Sequence, residues 1–420
     1  MRSYRLLSTL VAPIIPLWLM LRRLRGKEDA KRLPERLGIC KTPRPAGKLL
    51  WLHAASVGEA TSILPLLQKV HRRYPELRLL LTTGTVTSAR LMQKRLPAGA
   101  IHQFAPIDTP QATAQFIRHW RPDVSLWVES EFWPNLIDAV RRAHCYMGVI
   151  NGRMSERSFQ AWQKRPAMIR DMLACFDIVI AQSREDAARL QALGASDVRC
   201  VGNLKYDAVA LPCDEAELLR LKTAIGARPV WLAASTHPGE EKIAAQTHRR
   251  LAAAYPDLLT IIAPRHPERG AASAHEIKDL TVALRSQRQA ITPETQIYIA
   301  DTMGELGLFY RLSEIAFMGG SLVNHGGQNP LEPARLSCGI IFGPHTHNFS
   351  DIYRELEENG GGIRIAGGES LAAEVGVLLG DYARLHAMQG RARQWVESQA
   401  GATDRLMDML SPLFAPRKKS

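Results

Sequence analysis

The sequence predicts an α/β protein of two domains, each a parallel sheet with helices on both faces. The chain has 420 residues, which is too long for one ordinary hydrophobic core and suggests two domains. Short apolar runs alternate with amphipathic stretches, and this alternation is typical of βαβ units. The alternation lapses once, over residues 202–217, and then resumes.

The first series of elements follows a charged connection that contains Pro and Gly. Helices are predicted over residues 59–73 and 86–95, in WPNLIDAVRRA, and in REDAARLQALG, which ends on glycine as helices often do. Strands are predicted in six short apolar runs: KLLWLH, LRLLLTT, IHQFAP, DVSLWVES, CYMGVIN and DIVIAQS.

The second series begins near residue 229, with a helix in GEEKIAAQTHRRLAAAY and strands in PVWLAAST, LLTIIAPRH, IYIAD, EIAFMGG and CGIIFG. We therefore expect two Rossmann-like domains, residues 45–205 and 225–400, that face a central cleft. Ligands of such sheets bind beyond the carboxyl ends of the strands. The segments directly after each strand are therefore where site residues are expected.

The N-terminus, residues 1–25, is predicted to be a membrane anchor. Residues 6–21 carry no charge, and basic residues flank them on both sides: Arg2, Arg5, Arg22, Arg23, Arg25 and Lys27. Sixteen residues fall short of the ~20 that a spanning helix needs, and Pro13 and Pro16 would bend the helix. The segment is therefore either a short span or an interfacial helix, with the chain on the positively flanked, cytoplasmic side. A buried core helix is the alternative.

The composition narrows the classes of partner. The net charge of +13 favours phosphate-rich partners such as anionic lipid or nucleotide-linked substrates. No basic stretch is interleaved with aromatic residues, so nucleic acid is not expected. The six cysteines are scattered without a CxxC pair, which indicates reduced thiols rather than disulfides or a zinc site.

In the first domain, acids and amides follow the predicted strands. HAASVGEA contains Glu59, which is either a helix-starting carboxylate or a catalytic acid, and capping statistics favour the first. Glu129 and Glu131 follow the fourth strand, and NGRMSERS follows the fifth. Lys205, in GNLKYD, lies where the pattern lapses, and is either a charge-neutralising residue or a surface lysine.

In the second domain the segments after the strands suit a phosphate. Arg265 follows a buried strand directly and offers a bidentate donor. A glycine-rich stretch, residues 319–334, runs into a predicted helix near Pro330, in whose first turn Glu332 would either satisfy the dipole or bind ribose. Neither a P-loop nor a GxGxxG fingerprint is present. His345 and His347 lack enough neighbouring ligands to predict a metal site.

Nine segments occur in order across residues 49–350 and together resemble the 3-deoxy-D-manno-octulosonic acid (Kdo) transferases, which are GT-B glycosyltransferases. They are SVGEA, ESEFWPNL, NGRMSERS, GNLKYD, STHPGEE, PRHPER, DTMGEL, FMGGSLVNHGGQNPLEP and GPHTHNF. The N-terminal anchor also fits this family. Gly152 departs from it, since alanine is common there.

The resemblance implies inverting transfer of Kdo from CMP-Kdo to the lipid A precursor (lipid IVA), without a metal, at the cytoplasmic face of the inner membrane. It implies Glu59 as general base, with Glu129 and Lys205 stabilising the transition state. It implies a CMP site formed by nine residues: Pro264, Arg265, Met303, Gly304, Glu305, Asn329, Pro330, Leu331 and Glu332. Only Arg265 and Glu332 of these stand out from the sequence pattern alone.

Two other functions compete with this one: another membrane-associated GT-B enzyme with a different sugar nucleotide, and a nucleotide-binding sensor. The position of Glu59 also raises a difficulty for the base assignment. A helix dipole should lower the pKa of this carboxyl group. Something else near the site is then expected to keep it basic enough to accept a proton.

Overall fold

The computed structural model describes residues 2–415, and it divides into two compact units. The N-terminal unit comprises residues up to 208 together with those from 399 onward, and the C-terminal unit comprises residues 209–398. Each unit contains one parallel sheet of seven strands within the described residues. These two sheets confirm the predicted α/β fold class.

The sheet of the N-terminal unit has the strand order β3-β2-β1-β4-β5-β6-β7. Its strands are β1 (Leu49–His53), β2 (Arg78–Thr83), β3 (Ile101–Phe104), β4 (Val124–Val128), β5 (Tyr146–Gly152), β6 (Ile178–Ala181) and β7 (Val198–Cys200). The sheet of the C-terminal unit has the order β10-β11-β9-β8-β12-β13-β14. Its strands are β8 (Val230–Thr236), β9 (Leu259–Pro264), β10 (Val282–Leu284), β11 (Ile297–Ile299), β12 (Ile315–Met318), β13 (Gly339–Phe342) and β14 (Gly362–Arg364).

Helices connect these strands, so that successive strands can run parallel. In the N-terminal unit they are α1 (Arg2–Val11), α2 (Ile15–Leu24), α3 (Val57–Ser62), α4 (Leu64–Arg73), α5 (Val86–Arg95), α6 (Pro110–Trp120), α7 (Pro134–Arg142), α8 (Glu156–Gln163), α9 (Pro166–Leu173) and α10 (Arg184–Ala192). In the C-terminal unit they are α11 (Glu215–Ile225), α12 (Glu240–Leu251), α13 (Gly270–Glu276), α14 (Leu306–Leu312), α15 (Leu331–Arg335), α16 (Ser350–Glu358), α17 (Gly368–Gly380) and α18 (Tyr382–Ser398).

Both faces of the first sheet are buried, and the strand period of two explains how. Leu50 and Leu52 pack into a cluster on one face of β1, while Leu49 and Trp51 pack into a second cluster on the other. All five residues of this strand are buried. Strands of this kind read as continuous apolar runs, which is why the sequence pattern locates them.

The predicted helix over residues 59–73 is in fact two helices. α3 ends at Ser62 and α4 begins at Leu64, with Pro65 in its first turn. Proline lacks the N–H that would continue the first helix, and its ring clashes with the preceding turn. The break keeps α3 short and leaves Glu59 in a first turn that follows β1 directly.

The last helix, α19 (Ala402–Phe414), lies beyond both predicted domains and packs in the N-terminal unit. Its buried residues Leu406, Leu410 and Phe414 join the apolar cluster of that unit. Asp207, in the 3-10 turn Leu204–Asp207, accepts hydrogen bonds from the N–H groups of Gly401 (2.6 Å) and Thr403. Satisfying these N–H groups at the start of α19 joins the helix to the turn that carries Lys205.

α1, the 3-10 turn Ala12–Ile14 and α2 together form the one continuous helical segment, among the described residues, that is long and apolar enough to cross a membrane. It spans Ser3–Leu24, and only 6% of its most apolar 18-residue window is buried. The alternative of a buried core helix is therefore wrong.

Candidate functional site

The first group of site residues lies in the N-terminal unit, where β1 passes into α3. Ser56 is the N-cap of α3, and its hydroxyl accepts a hydrogen bond from the N–H of Glu59 at 3.2 Å. The same hydroxyl lies 2.6 Å from Oε1 of Glu59, and the N–H of Ala55 donates to Oε2 at 2.7 Å. The carboxyl group of Glu59 therefore takes part in the local hydrogen bonding of a helix start. Its orientation is fixed by these contacts.

Glu59 is nonetheless not an ordinary capping acid, because only 8% of it is exposed. Burial, and after it the negative charge of Glu129, raise the pKa of this carboxyl to about 7. The hydrogen bonds from Ser56 and Ala55 act in the opposite direction but are outweighed. The lowering expected from the helix dipole is therefore outweighed by other groups near the carboxyl, as the base assignment requires. Desolvation of the carboxylate and a like charge supply the basicity that the sequence left unexplained.

Glu129 and Glu131 both lie beyond the end of β4, which finishes at Val128. Glu129 has a positive φ of 59° and donates its N–H to the carbonyl of Ile150 at 3.0 Å. A left-handed backbone is uncommon for residues other than glycine and costs about 1–2 kcal/mol, so this conformation must be held by its surroundings. Oε2 of Glu131 accepts from the indole N–H of Trp133 at 2.7 Å. Both acids follow the end of the strand, and the charge of each raises the pKa of Glu59.

Lys205 is paired with Glu129, with 2.7 Å between Nζ and Oε1. The two side chains are 18% and 16% exposed, so Lys205 is not a surface lysine. The turn that carries it is held by two amide side chains. Oδ1 of Asn203 accepts from the N–H of Lys205 at 3.0 Å, and Oδ1 of Asn151 accepts from the N–H of Leu204 at 2.9 Å. Glu59, Glu129 and Lys205 thus form one cluster in the N-terminal unit.

Two other residues near these strand ends have structural roles. His53 is fully buried, contacts the hydroxyl of Thr82 at 2.9 Å, and has a pKa lowered to about 3 by burial. It is therefore a neutral core side chain at physiological pH. Ser155 of NGRMSERS is the N-cap of α8 and accepts from the N–H of Ser158 at 3.2 Å.

The second group of site residues lines a cavity of about 240 Å³ in the C-terminal unit. This cavity lies at the carboxyl ends of β8 and β9, where ligands of parallel sheets bind. Six of the nine residues implied for CMP line it: Pro264, Arg265, Met303, Gly304, Asn329 and Glu332. Arg265 is exposed, and within residues 2–415 its guanidinium makes no hydrogen bond or ion pair. Its donors are therefore available to an anion.

The other three implied residues do not line this cavity. The carboxylate of Glu305 is held by Arg285, at 2.6 and 3.1 Å, and by the hydroxyl of Thr302. The hydrogen bonds from Arg285 lower its pKa. Pro330 and Leu331 are buried at the start of α15.

Asn329 orders the start of α15 and Glu332 together. Its Oδ1 accepts from the N–H of Leu331 at 3.2 Å, and its Nδ2 donates to Oε1 of Glu332 at 3.3 Å. Glu332 therefore has a fixed orientation on the cavity wall, with oxygen atoms that can accept from hydroxyl groups. This geometry favours neither of the two roles that the sequence left open for it.

Sequence reasoning missed a buried carboxylate that organises this end of the sheet. Glu240, 1% exposed, accepts from the N–H groups of His237 (2.8 Å), Gly320 (2.7 Å) and Leu322 (3.0 Å). It thereby ties the end of β8 to the glycine-rich stretch after β12. At Gly319 an added Cβ would lie 2.3 Å from the carbonyl oxygen of Ser235, so only glycine allows this close approach. Ser235, Thr302 and Gln328 also line the cavity and were not predicted.

The chain is similar in sequence and in fold to several known proteins. A family model described as 3-deoxy-D-manno-octulosonic-acid transferase (kdotransferase) matches residues 31–208. A 3-deoxy-D-manno-octulosonic acid transferase of Rickettsia bellii is 35% identical over 99% of this chain and 100% of its own length. A probable mitochondrial 3-deoxy-D-manno-octulosonic acid transferase of Arabidopsis thaliana is 37% identical over 85% of this chain and 82% of its own. Among solved structures, the chain resembles UDP-GlcNAc 2-epimerase from Neisseria meningitidis bound to UDP-GlcNAc, with a TM-score of 0.58 and 12% sequence identity. The match covers 87% of this chain and 100% of that one. At this identity the likeness shows the fold alone.

Proposed function

Because this chain belongs to the 3-deoxy-D-manno-octulosonic acid transferase family of glycosyltransferases, we propose that it transfers Kdo from CMP-Kdo to the lipid A precursor, lipid IVA. The cluster of Glu59, Glu129 and Lys205 gives the strongest structural support for this proposal. A buried carboxyl with a pKa of about 7 is half ionised at neutral pH, which suits a general base.

In the proposed reaction a sugar hydroxyl of the acceptor attacks the anomeric carbon of Kdo. A carbon–oxygen bond forms on one face, and the bond to the phosphate oxygen of CMP breaks on the other, so the anomeric centre is inverted. The electron pair of the broken bond leaves with CMP, and Glu59 takes the proton of the hydroxyl. Proton transfer of this kind contributes typically ~10²–10⁴ in rate.

Lys205 and Glu129 would stabilise the charge that develops during the transfer. The ammonium group of Lys205 is held at 2.7 Å from Glu129 on a turn fixed by Asn203 and Asn151. A fixed charge in a partly buried site stabilises a transition state better than a mobile one, because no reorganisation is needed during the reaction.

The nucleotide would occupy the cavity of the C-terminal unit. Arg265 supplies donors for the phosphate, and Asn329 with Glu332 supplies polar groups for the ribose. In this mechanism Arg265 and nearby backbone N–H groups take up the charge of the departing phosphate, and no metal is assigned a role.

The acceptor is a phosphorylated glycolipid, and the N-terminal apolar segment would hold the enzyme at the cytoplasmic face of the inner membrane. The net charge of +13 favours binding to the anionic lipids of that membrane face. Each Lys or Arg near such a surface contributes about 1 kcal/mol.

The test is to incubate the purified full-length protein with CMP-Kdo and lipid IVA and to measure the product by mass spectrometry. We expect a mass increase corresponding to added Kdo, with the anomeric configuration opposite to that of the donor by NMR. A UDP-sugar in place of CMP-Kdo should give no product; product from it would favour a different GT-B enzyme.

Glu59→Gln should lower kcat by about 10²–10⁴, and near-normal transfer by a folded Glu59→Gln protein would contradict the base assignment.

A further inference from the structure

The N-terminal apolar segment is helical throughout and changes its hydrogen-bond pattern in the middle. α1 and α2 are joined by the 3-10 turn Ala12–Ile14, which contains Pro13, and Pro16 lies in the first turn of α2. Proline removes a helical hydrogen bond and clashes with the turn before it, which accounts for the interruption of the α-helical pattern.

The N-terminal end of this segment is bound to helix α7 and to the chain before it. Arg5 forms an ion pair with Asp138 at 3.0 Å, and the hydroxyl of Ser8 accepts from Nδ2 of Asn135 at 2.9 Å. Tyr4 makes a side-chain hydrogen bond to Asp108. Asp108 in turn accepts from the N–H of Leu136 at 2.8 Å, at the start of α7. The first three turns of the segment are therefore part of the N-terminal unit.

The C-terminal end of the segment is bound to the same unit. Leu19 is fully buried, and Nε of Arg22 lies 2.7 Å from Oε1 of Glu28. Oε2 of Glu28 lies 3.4 Å from the buried Arg36, whose Nη1 donates to the carbonyl of Ala105 at 2.6 Å. Both ends of the segment are thus held by the same unit.

The face of the segment that does not touch the unit is apolar. Its strongly exposed side chains are Leu6, Leu7, Leu10, Val11, Ile14, Leu17, Met20, Leu21 and Leu24. Trp18 is 46% exposed, with the guanidinium of Arg22 4.8 Å from its ring centre. An aromatic ring beside a basic residue is typical of the membrane–water interface. A helix that crossed a bilayer would place its two ends about 30 Å apart on opposite sides.

Basic side chains surround a cavity at the N-terminal end of the segment. This cavity, of about 310 Å³, is lined by Arg5, Arg118 and Arg142 with a single acid, Asp138. Arg5 and Arg142 both pair with Asp138, whereas Arg118 has no ion pair within residues 2–415. Three cations against one anion suit a phosphate group, and a lipid leaflet supplies phosphates beside apolar chains.

Resting on the membrane attachment proposed above, we propose that residues 3–24 lie along one leaflet and do not cross it. Both ends remain bound to the N-terminal unit, the exposed apolar face enters the leaflet, and the arginine-lined cavity faces lipid phosphate. Such a helix is buried to a depth of about 5–10 Å.

The test measures the depth of spin labels in the full-length protein bound to phosphatidylethanolamine–phosphatidylglycerol vesicles. Labels are placed one at a time at Leu7→Cys, Ile14→Cys and Leu21→Cys, with Cys40, Cys200 and Cys213 replaced by alanine. A protein that retains only Cys200 of these three, an exposed residue, is the aqueous reference. We expect the three labels at similar, shallow depths. In a crossing helix the first and last labels would be about 21 Å apart along the axis, with Ile14 deepest.

The cavity is tested with Arg118→Ala, and with Arg72→Ala as a control on an exposed arginine of α4 away from the segment. We expect Arg118→Ala to weaken partition into the anionic vesicles about fivefold, and Arg72→Ala to change it less. Equal effects, or competition by inorganic phosphate alone, would overturn the assignment of the cavity to lipid. A label at Ile14 much deeper than the labels at Leu7 and Leu21 would overturn the in-plane arrangement alone. Failure to bind vesicles at all would overturn the membrane attachment as well.

Discussion

The backbone N–H of Leu204 donates a hydrogen bond of 2.9 Å to Oδ1 of Asn151. Asn151 is 1% exposed, lies near the end of β5 and has a left-handed backbone with φ of 52°. The residue after Leu204 is Lys205, which pairs with Glu129 on the neighbouring strand end. Asn151 is therefore a positioning residue for that ion pair, although its own side chain does not take part in it.

Asn151→Gly should lower kcat at least tenfold and leave the affinity for CMP unchanged. Glycine tolerates the left-handed backbone, so the change removes the acceptor of Leu204 without adding backbone strain. A buried N–H left without a partner costs about 1–3 kcal/mol, which the midpoint of urea unfolding would report. Asn151→Asp keeps the acceptor and should restore most of kcat. Equal kcat values for the Gly and Asp variants would show that this hydrogen bond does not position Lys205.

Glu59→Gln should stabilise the protein at pH 8 and have little effect at pH 5. The folded-state pKa of about 7 lies above the usual glutamate pKa of 4.5, so the folded protein holds this proton more tightly than the unfolded chain. As pH rises from 4.5 through 7, ionisation in the buried site costs stability, on the order of 1–3 kcal/mol. Glutamine stays neutral and avoids that cost. Urea unfolding of both proteins at the two pH values measures the difference, and destabilisation by glutamine at pH 8 would contradict it.

Glu129→Gln should move the acidic limb of the kcat/KM profile to lower pH. Below its pKa the proposed base is protonated and inactive, so the rate rises with pH through the pKa of Glu59. Glu129 contributes more than Glu131 to raising that pKa, so removing its charge should lower the pKa more. Glu131→Gln is the matched control and should shift the limb less in the same direction. The comparison uses the pH midpoint of the acidic limb and not the maximal kcat/KM, because Glu129→Gln also removes the ion-pair partner of Lys205 and so lowers the rate itself. A limb that stays in place in both variants would mean that another group governs it.

The sequence predicts the long buried strands well because each is a continuous apolar run, as in LLWLH of β1. It misses β7, β10 and β14, which have three residues each and lie at sheet edges, where half-buried strands have no such run. The position of Glu59 follows from the strand-to-helix pattern around it. Its raised pKa does not, because Glu129 is 70 positions away and meets it only through the order of strands β1 and β4. Glu240 was missed for the same reason, since its partners Gly320 and Leu322 lie on a distant segment.

Arg265→Ala should weaken the binding of CMP by about ten- to a hundredfold. Hydrogen bonds to charged groups contribute about 1.5–3 kcal/mol, and each 1.4 kcal/mol is a factor of ten in affinity. The backbone N–H of Arg265 donates to the carbonyl of Thr236 at 2.9 Å, and alanine keeps that hydrogen bond, so the fold should be unaffected.

Arg249→Ala, which removes an exposed ion pair with Asp279 in the same unit, is the control and should leave CMP affinity unchanged. Arg265→Lys should give an intermediate loss, since lysine keeps the charge but loses the bidentate donor. Isothermal titration of CMP into each folded variant measures the affinities, and equal values for the Arg265→Ala and Arg249→Ala proteins would place the phosphate elsewhere.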